Sequence, residues 1–278
     1  MRTATAEDVD RITACLRTSP HQAMFTLGYL HRDGFAGRGN RTMEFWVNDG
    51  DQITDVLALT RAGIVAPFLP QMPVLGAARA LKGRKISGII GPADQVAPLE
   101  RQLGLEDAPM TLDQDEPHFT LDLAKLQIPD GPGDLRPLSQ ADPATMLDWM
   151  TQYQTETLAT PPDQAPIRAA AGYETAMVAD NRRVLMWGDV PLATTAFNAQ
   201  LPDMVQIGGV FTPRNLRGKG HGRRVVALHL AEARARGVTH AALSAANSAA
   251  ARAYEGIGFQ KVSTWSFRLF ERPQVIRG

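Results

Sequence analysis

The amino-acid sequence predicts a mixed α/β protein built from two similar halves, and three observations lead there. Segments with helical apolar spacing alternate with short strand-forming runs. Residues 129–134 of the 278-residue chain are dense in proline and glycine and divide it near its middle. Each half also opens on a short segment, an acidic residue and a helix-like stretch. We therefore predict domains over 1–128 and 135–278, joined by a linker over 129–134.

The first half begins with a predicted helix over residues 11–30. Turn signals then separate four predicted strands, which cover residues 44–47, 53–60, 63–68 and 85–90. A second helix is predicted over 91–103, and the alternating run 118–123 predicts a last strand. Three prolines within residues 67–73 favour an extended segment at the edge of a sheet.

The second half is also mixed α/β, in the order helix, strand meander, helix, strand, helix and strand. Apolar periodicity and turn residues set the limits of its elements. In chain order, the predicted elements are a helix over 144–157, strands over 183–187, 192–197 and 204–211, a helix over 220–236, a strand over 238–245, a helix over 248–255 and a strand over 261–270.

The charge of the chain is zero overall but unevenly distributed. There are 29 basic and 29 acidic residues, so the broad basic field of a nucleic-acid binder is absent and no nucleic-acid partner is expected. Residues 1–130 carry a net charge of −4 and residues 131–278 carry +4. Much of the positive excess is concentrated in one segment. Its members are Arg214, Arg217, Lys219, Arg223, Arg224, Arg234 and Arg236.

Composition and residue spacing also bear on the expected cellular compartment and on whether a metal cofactor is expected. The single cysteine, Cys15, cannot form an intrachain disulfide, which fits a reducing compartment. No apolar run is long enough for a membrane span or for the core of a signal peptide, so we expect a cytoplasmic protein with no membrane association. The six histidines show no tight metal-ligand spacing, and no metal is predicted.

A glycine-rich and basic turn over residues 210–224 is the most informative segment. It lies between a predicted strand and a long helix, whose first turn presents unpaired N–H groups and a partial positive charge. Such a turn suits a phosphate, and Arg217, Lys219 and Arg223 would add charge-assisted contacts. It is not a P-loop, because Lys219 is followed by Gly220 and not by serine or threonine. It is not a dinucleotide fingerprint either, because Arg223 stands where the third glycine of that pattern would fall. The alternative is a flexible connection with a basic rim.

A second segment, residues 247–259, predicts a short helix beside this turn. Asn247 is a good N-cap residue, and the alanines that follow it permit close approach of a thin ligand. Tyr254 lies seven residues later, about two helical turns, so both side chains can face one groove. The alternative is a packed helix with a core tyrosine.

Together, the two segments resemble the GNAT superfamily of N-acetyltransferases. Arg217, Gly220 and Gly222 follow the strand with the family's Arg-x-x-Gly-x-Gly spacing. The spacing of the family's next motif is matched by Asn247, Ala250, Tyr254, Gly258 and Phe259. The resemblance covers residues 135–270 and implies a GNAT-like fold there. The repeated layout then predicts a degenerate GNAT-like first half, because residues 64–81 contain no equivalent turn.

The resemblance implies acetyl-CoA as the cofactor-like substrate. The backbone near Val210 and Thr212 would pair with the pantetheine arm, and the N–H groups of residues 218–223 would hold the pyrophosphate. Tyr254 would protonate the leaving thiolate. The implied cofactor-binding residues are Val210, Phe211, Thr212, Arg217, Gly218, Lys219, Gly220, His221, Gly222, Arg223, Asn247, Ala250 and Tyr254.

The general base is less defined. Many members of the family carry a glutamate on the strand before the turn, where this chain has Gln206, which cannot act as a base. Glu156, at the end of a predicted helix, is the candidate catalytic base, and Glu174 is a second one. Either residue is alternatively a surface carboxylate, in which case the amine would lose its proton through ordered water.

The expected function is therefore transfer of an acetyl group from acetyl-CoA to an amine by direct attack. The acceptor would be a small molecule or an exposed protein amine. Two alternatives are a non-catalytic acyl-CoA-binding sensor and an aminoacyl transferase of the tandem-GNAT type. The complete turn and the neutral charge disfavour the aminoacyl transferase. A homodimer is an open alternative for the oligomeric state.

Overall fold

The computed structural model, which describes residues 1–35 and 37–277, divides into two units whose boundaries differ from the predicted ones. Unit 1 comprises residues 1–116 and the C-terminal segment from Ser263, and unit 2 is Pro117–Val262. The predicted linker over 129–134 is therefore not the boundary. Strand pairing explains the difference, because residues 118–122 pair with a strand of unit 2 and residues 265–275 pair with a strand of unit 1.

Among its described residues, unit 1 holds four helices, five whole strands and parts of two more. In order they are β1 (Arg2–Thr3), α1 (Val9–Leu16), α2 (Met24–Asp33), β2 (Met43–Val47), β3 (Val56–Thr60), β4 (Ile64–Phe68), α3 (Val74–Ala80), β5 (Lys85–Pro92), α4 (Ala93–Gln102), the first part of β6 (Met110–Asp122) and, from the C-terminus, the last part of β12 (Gln260–Val275). Its strand order is β1-β2-β3-β4-β5-β12-β6.

Two sequence predictions for unit 1 are corrected. The helix predicted over 11–30 is broken into α1 and α2, because Pro20 excludes the helical conformation at Ser19, whose φ and ψ are −146° and 73°. The proline-rich segment does not lie at a sheet edge, since Pro67 belongs to β4 and pairs with Leu57 of β3. Pro67 has no N–H group to donate to β5, and this is tolerated because the pairing of β4 with β5 ends at Val65.

Unit 2 carries the remaining elements. In order they are the last part of β6, β7 (Asp134–Pro137), α5 (Pro143–Glu156), α6 (Ala165–Ala179), β8 (Arg182–Trp187), β9 (Val190–Gln200), β10 (Met204–Phe211), α7 (His221–Ala235), β11 (His240–Ser244), α8 (Ser248–Glu255) and the first part of β12. The strand order is β6-β11-β10-β9-β8-β7. Helices α3 and α6 have no counterpart in the sequence prediction.

The sheet of unit 2 is covered on both faces. Val225, Val226 and Leu230 of α7 are fully buried in one apolar cluster, which includes Leu185 of β8. The next residue back along β8, Val184, belongs instead to the cluster around Trp149 of α5. Because side chains alternate along a strand, α7 and α5 lie on opposite faces of the sheet.

The parallel pair β10 and β11 opens along its length. Met204, Val205 and Gln206 pair with residues 240–242, and no pairing follows, although β10 continues to Phe211. A register shift against β9 lies between Gly208 and Phe211, and Gly209 has a φ of +58°. The glycines allow this bulge, and the separated strands leave unpaired backbone on their facing edges.

Candidate functional site

A cleft of about 880 Å³ is lined by the end of β10, by the turn that leads into α7 and the start of that helix, and by α8. This volume is in the range typical of small-molecule sites. The cleft brings together every residue predicted to bind the cofactor. Ala249, one of the alanines predicted to permit close approach of a ligand, also lines the cleft, and the lining residues that were not predicted are Thr157, Leu216, Arg252 and Ala253.

The glycine-rich turn forms one end of the cleft. Gly218 and Gly220 have φ values of +79° and +82°, so both positions favour glycine. Helix α7 begins at His221, and no side chain in the described part of the protein caps its first N–H groups. A Cβ atom on Gly222 would lie 3.3 Å from Thr212 Oγ1, so glycine brings α7 close to the end of β10. The turn thus presents uncapped N–H groups at the cleft.

Basic side chains surround these N–H groups. Lys219, Arg223 and Arg252 line the cleft and form no ion pair within residues 1–35 and 37–277. Burial and the neighbouring Lys219 ammonium lower the pKa of His221, which favours its neutral form. The uncapped helix start and three unpaired cations make this end of the cleft suited to an anion.

Glu156 lies at the cleft, but its carboxylate is engaged. It accepts a hydrogen bond from Arg217 Nη2 at 2.6 Å and one from Arg214 Nε at 3.0 Å. The hydrogen bond from Arg217 is the main cause that holds the pKa of Glu156 below its ordinary value. The structure therefore argues against the predicted base role, since a carboxylate stabilised as an anion is a weaker base. Glu174 is exposed on α6 and is not among the residues that line the cleft.

Helix α8 forms the other wall of the cleft. The Asn247 side chain accepts a hydrogen bond from the Ala250 backbone N–H at 2.9 Å, as its predicted N-cap role requires. Tyr254 is buried, lines the cleft and packs edge-on against Phe259 with a ring separation of 6.1 Å. The helix thus presents a tyrosine to the same cleft as the glycine-rich turn.

A polar pair beyond the point of strand separation was also missed. His118 of β6 is fully buried, and its Nδ1 lies 3.0 Å from Ser244 Oγ. Phe119 and Leu243, one residue away on each strand, pack in the α7 cluster. His118 and Ser244 therefore face the α5 side. Sequence spacing gives no signal for this pair, because 126 residues separate its members.

Gln206 occupies the last paired position of β10. It is 3% exposed, and its Oε1 atom has no hydrogen-bond partner in the part of the chain that the structure describes. The side chain of Gln206 is an amide, which cannot take up a proton as a carboxylate does, so Gln206 cannot act as a general base.

Membrane spans and metal clusters are both absent from residues 1–35 and 37–277. No helix there is both long and apolar enough to cross a membrane. No group of three or more histidine, cysteine or acidic residues there is arranged to hold a metal ion.

Comparison with known proteins decides the family of unit 2. Residues 144–259 match the acetyltransferase (GNAT) family. These residues form a GNAT domain. The match includes α5, the opened strand pair, the glycine-rich turn and α8. It supports acyl transfer from an acyl-CoA as the general chemistry of the domain.

Solved structures extend the likeness to the whole chain. A Drosophila protein aligns with a TM-score of 0.66 at 13% identity, covering 96% of this chain and 97% of its own. A tandem GNAT protein from the clavulanic acid biosynthesis pathway aligns with a TM-score of 0.56 at 16% identity, covering 96% of each chain. A GCN5-related N-acetyltransferase from Kribbella flavida aligns with a TM-score of 0.53 at 15% identity, covering 95% of each chain. At these low identities the alignments show the fold alone, and that fold is consistent with two GNAT-like domains. No curated protein matches the sequence.

The engagement of Glu156 leads to a measurable pH dependence. Carbon-13 NMR of the carboxyl groups should give Glu156 a titration midpoint below its ordinary value of 4.5. Arg217→Gln should raise the midpoint more than Arg214→Gln, because Arg217 contributes the stronger hydrogen bond. An unchanged midpoint in both variants would contradict the ion-paired geometry.

Proposed function

We propose that this protein transfers an acetyl group from acetyl-CoA to an amine by direct attack of the amine on the thioester. The observation that carries the proposal is the cleft itself. The end of β10, beyond its last pairing with β11, lines the cleft together with an uncapped helix start and with cations that form no ion pair among the described residues. Such a cleft matches a molecule that has an extended polar arm at one end and phosphates at the other.

The phosphates of acetyl-CoA would bind at the turn. Backbone N–H groups from Gly218 to Arg223 supply hydrogen-bond donors, and the dipole of α7 adds a partial positive charge. Arg217 is already oriented, because its Nε donates to the Thr212 carbonyl at 2.8 Å. A pyrophosphate would compete with Glu156 for the remaining guanidinium donors of Arg217.

The pantetheine arm would occupy the gap between the strands. Beyond Gln206, β10 has lost its partner β11, so its backbone can pair with an amide-containing arm as with another strand. Val210 has no partner in the register with β9 or in that with β11. Its N–H group would donate to the thioester carbonyl and stabilise the oxyanion that forms during attack.

Tyr254 would protonate the departing thiolate. A hydroxyl group in a largely buried position can deliver a proton without competition from bulk water. Because Glu156 is ion-paired and Gln206 is an amide, the proposal has the amine proton leave through water in the cleft. The amine would attack in its neutral form, and no covalent acyl-enzyme would form.

The acceptor would be a small-molecule amine or an exposed protein amine. A non-catalytic acyl-CoA sensor is the second candidate, since it would use the same turn. The position of Tyr254 in the cleft favours the enzyme, because binding alone requires no acid there. A panel of amines assayed with acetyl-CoA by release of free thiol separates the two functions.

Acetyl-CoA should raise the melting temperature of the wild-type protein, and Gly222→Val should abolish the shift. A valine Cβ would approach Thr212 Oγ1 to 3.3 Å, and its methyl groups would cover the N–H groups at the start of α7. Thermal shift measured across acetyl-CoA concentrations tests this, because ligand binding to the folded state stabilises it.

Gly237→Ala is the matched control for this experiment. Gly237 follows the other end of α7 and has a φ of +96°, and a Cβ atom at this position would meet no other atom within 4 Å. The control should lower the melting temperature but keep the acetyl-CoA shift. If Gly222→Val binds acetyl-CoA as tightly as the wild type, the turn does not hold the cofactor.

Tyr254→Phe should lower kcat by about 100-fold, within the range typical of a general acid, while the Kd for acetyl-CoA changes little. Phenylalanine keeps the ring contact with Phe259 and removes only the hydroxyl group. Steady-state kinetics and calorimetry on the same preparation provide both numbers. Equal kcat values would remove Tyr254 from the acid role.

A further inference from the structure

Arg182 is a buried cation without a carboxylate partner. It lies in β8, is 9% exposed, and forms no ion pair within the described residues. Its neighbour Arg183, on the other face, pairs with Glu232 and Asp180. Burial lowers the pKa of Arg182, yet an arginine side chain remains protonated in proteins. A desolvated charge of this kind is costly to retain, so its contacts indicate its purpose.

The guanidinium group of Arg182 is aimed at the bulge of β10. Its Nη1 donates to the Gly209 carbonyl at 3.1 Å and to Thr194 Oγ1 at 3.3 Å. A Cβ atom on Gly209 would lie 2.6 Å from Nη2, so only glycine admits the group this closely. Its Nε has no partner within the described residues.

The accepting carbonyl belongs to a particular peptide group. The C=O of Gly209 and the N–H of Val210 are the two ends of one peptide bond. A charged donor on the oxygen withdraws electron density and makes the N–H at the other end a stronger donor, an effect that low local dielectric enhances. Val210 lines the cleft and lies outside both strand registers.

We propose that Arg182 is a positioning residue that fixes and polarises the Gly209–Val210 peptide, so that the Val210 N–H stabilises the oxyanion of acyl transfer. The inference rests on the proposed function and adds a residue to it. Arg182 is not among the residues that line the cleft, so it would act on the peptide from behind the strand. Its charge costs no reorganisation during the reaction, because the bulge and Thr194 hold it in place.

The test compares Arg182→Met with Arg183→Lys. Three quantities are measured: kcat with an accepted amine, the Kd for acetyl-CoA, and the infrared carbonyl stretch of bound acetyl-CoA labelled with carbon-13 at the thioester. Arg182→Met should lower kcat at least about tenfold, since loss of a whole oxyanion donor costs about 100- to 1,000-fold. Its Kd should change less than about threefold. The carbonyl band, shifted to lower frequency in the wild type, should return toward that of free acetyl-CoA.

Arg183→Lys is the control for stability, because it disturbs a guanidinium on the same strand that faces α7. It should lower the melting temperature while kcat and the carbonyl band stay at wild-type values. If Arg182→Met does not fold, Arg182→Lys and Arg182→Gln replace it. Lysine keeps the charge and should retain several times more kcat than glutamine, and equal kcat values in the two would overturn the proposal.

The outcomes separate this inference from the proposed function. A wild-type protein that transfers acetyl, together with a folded Arg182→Met that retains kcat and the carbonyl band, overturns the role of Arg182 alone. A wild-type protein that binds acetyl-CoA but acetylates no amine overturns the proposed reaction, and the carbonyl band then still tests the polarised peptide. Absence of acetyl-CoA binding overturns both.

Discussion

The separation of β10 from β11 after Gln206 is the constraint on which the candidate site depends. A parallel pair that stayed closed would satisfy its own backbone groups and leave no room for a ligand. The opened pair instead places an unpaired strand edge beside the start of α7. The bulge at Gly208 and Gly209 shifts the side-chain alternation by one residue, so that Phe211 packs against Trp149 of α5 while Val210 faces the α7 cluster.

Charge is arranged around this opening in two ways. On the solvent side, the uncapped helix start is surrounded by cations that have no acidic partner among the described residues, and Glu156 engages Arg214 and Arg217. Behind the strand, Arg182 is buried against the bulge. Exposed pairs contribute little to stability, so the arrangement at the turn is better explained by binding than by folding. The buried guanidinium has a larger effect because little water screens it.

The sequence predicted the parts of the site that depend on local chemistry. Glycines with positive φ, an asparagine cap and a run of cations can each be recognised from a few consecutive residues. All the predicted cofactor-binding residues line one cleft. Features set by distant pairing were not predictable. The unit boundaries follow from pairings such as His118 with Ser244, and Arg182 meets Gly209 across 27 residues. Helix α6 was missed because its apolar residues are spread around it, with Ile167 and Val178 exposed.

Hydrogen exchange of backbone amides with and without acetyl-CoA tests the central claim most directly, because it reports each strand and turn separately. Bound acetyl-CoA should slow exchange at residues 210–223 and 247–254. The opened pair β4 and β5 of unit 1, which lacks a glycine-rich turn, should exchange as before. If acetyl-CoA slowed exchange in unit 1 and left exchange at residues 210–223 unchanged, the assignment of the site would be contradicted.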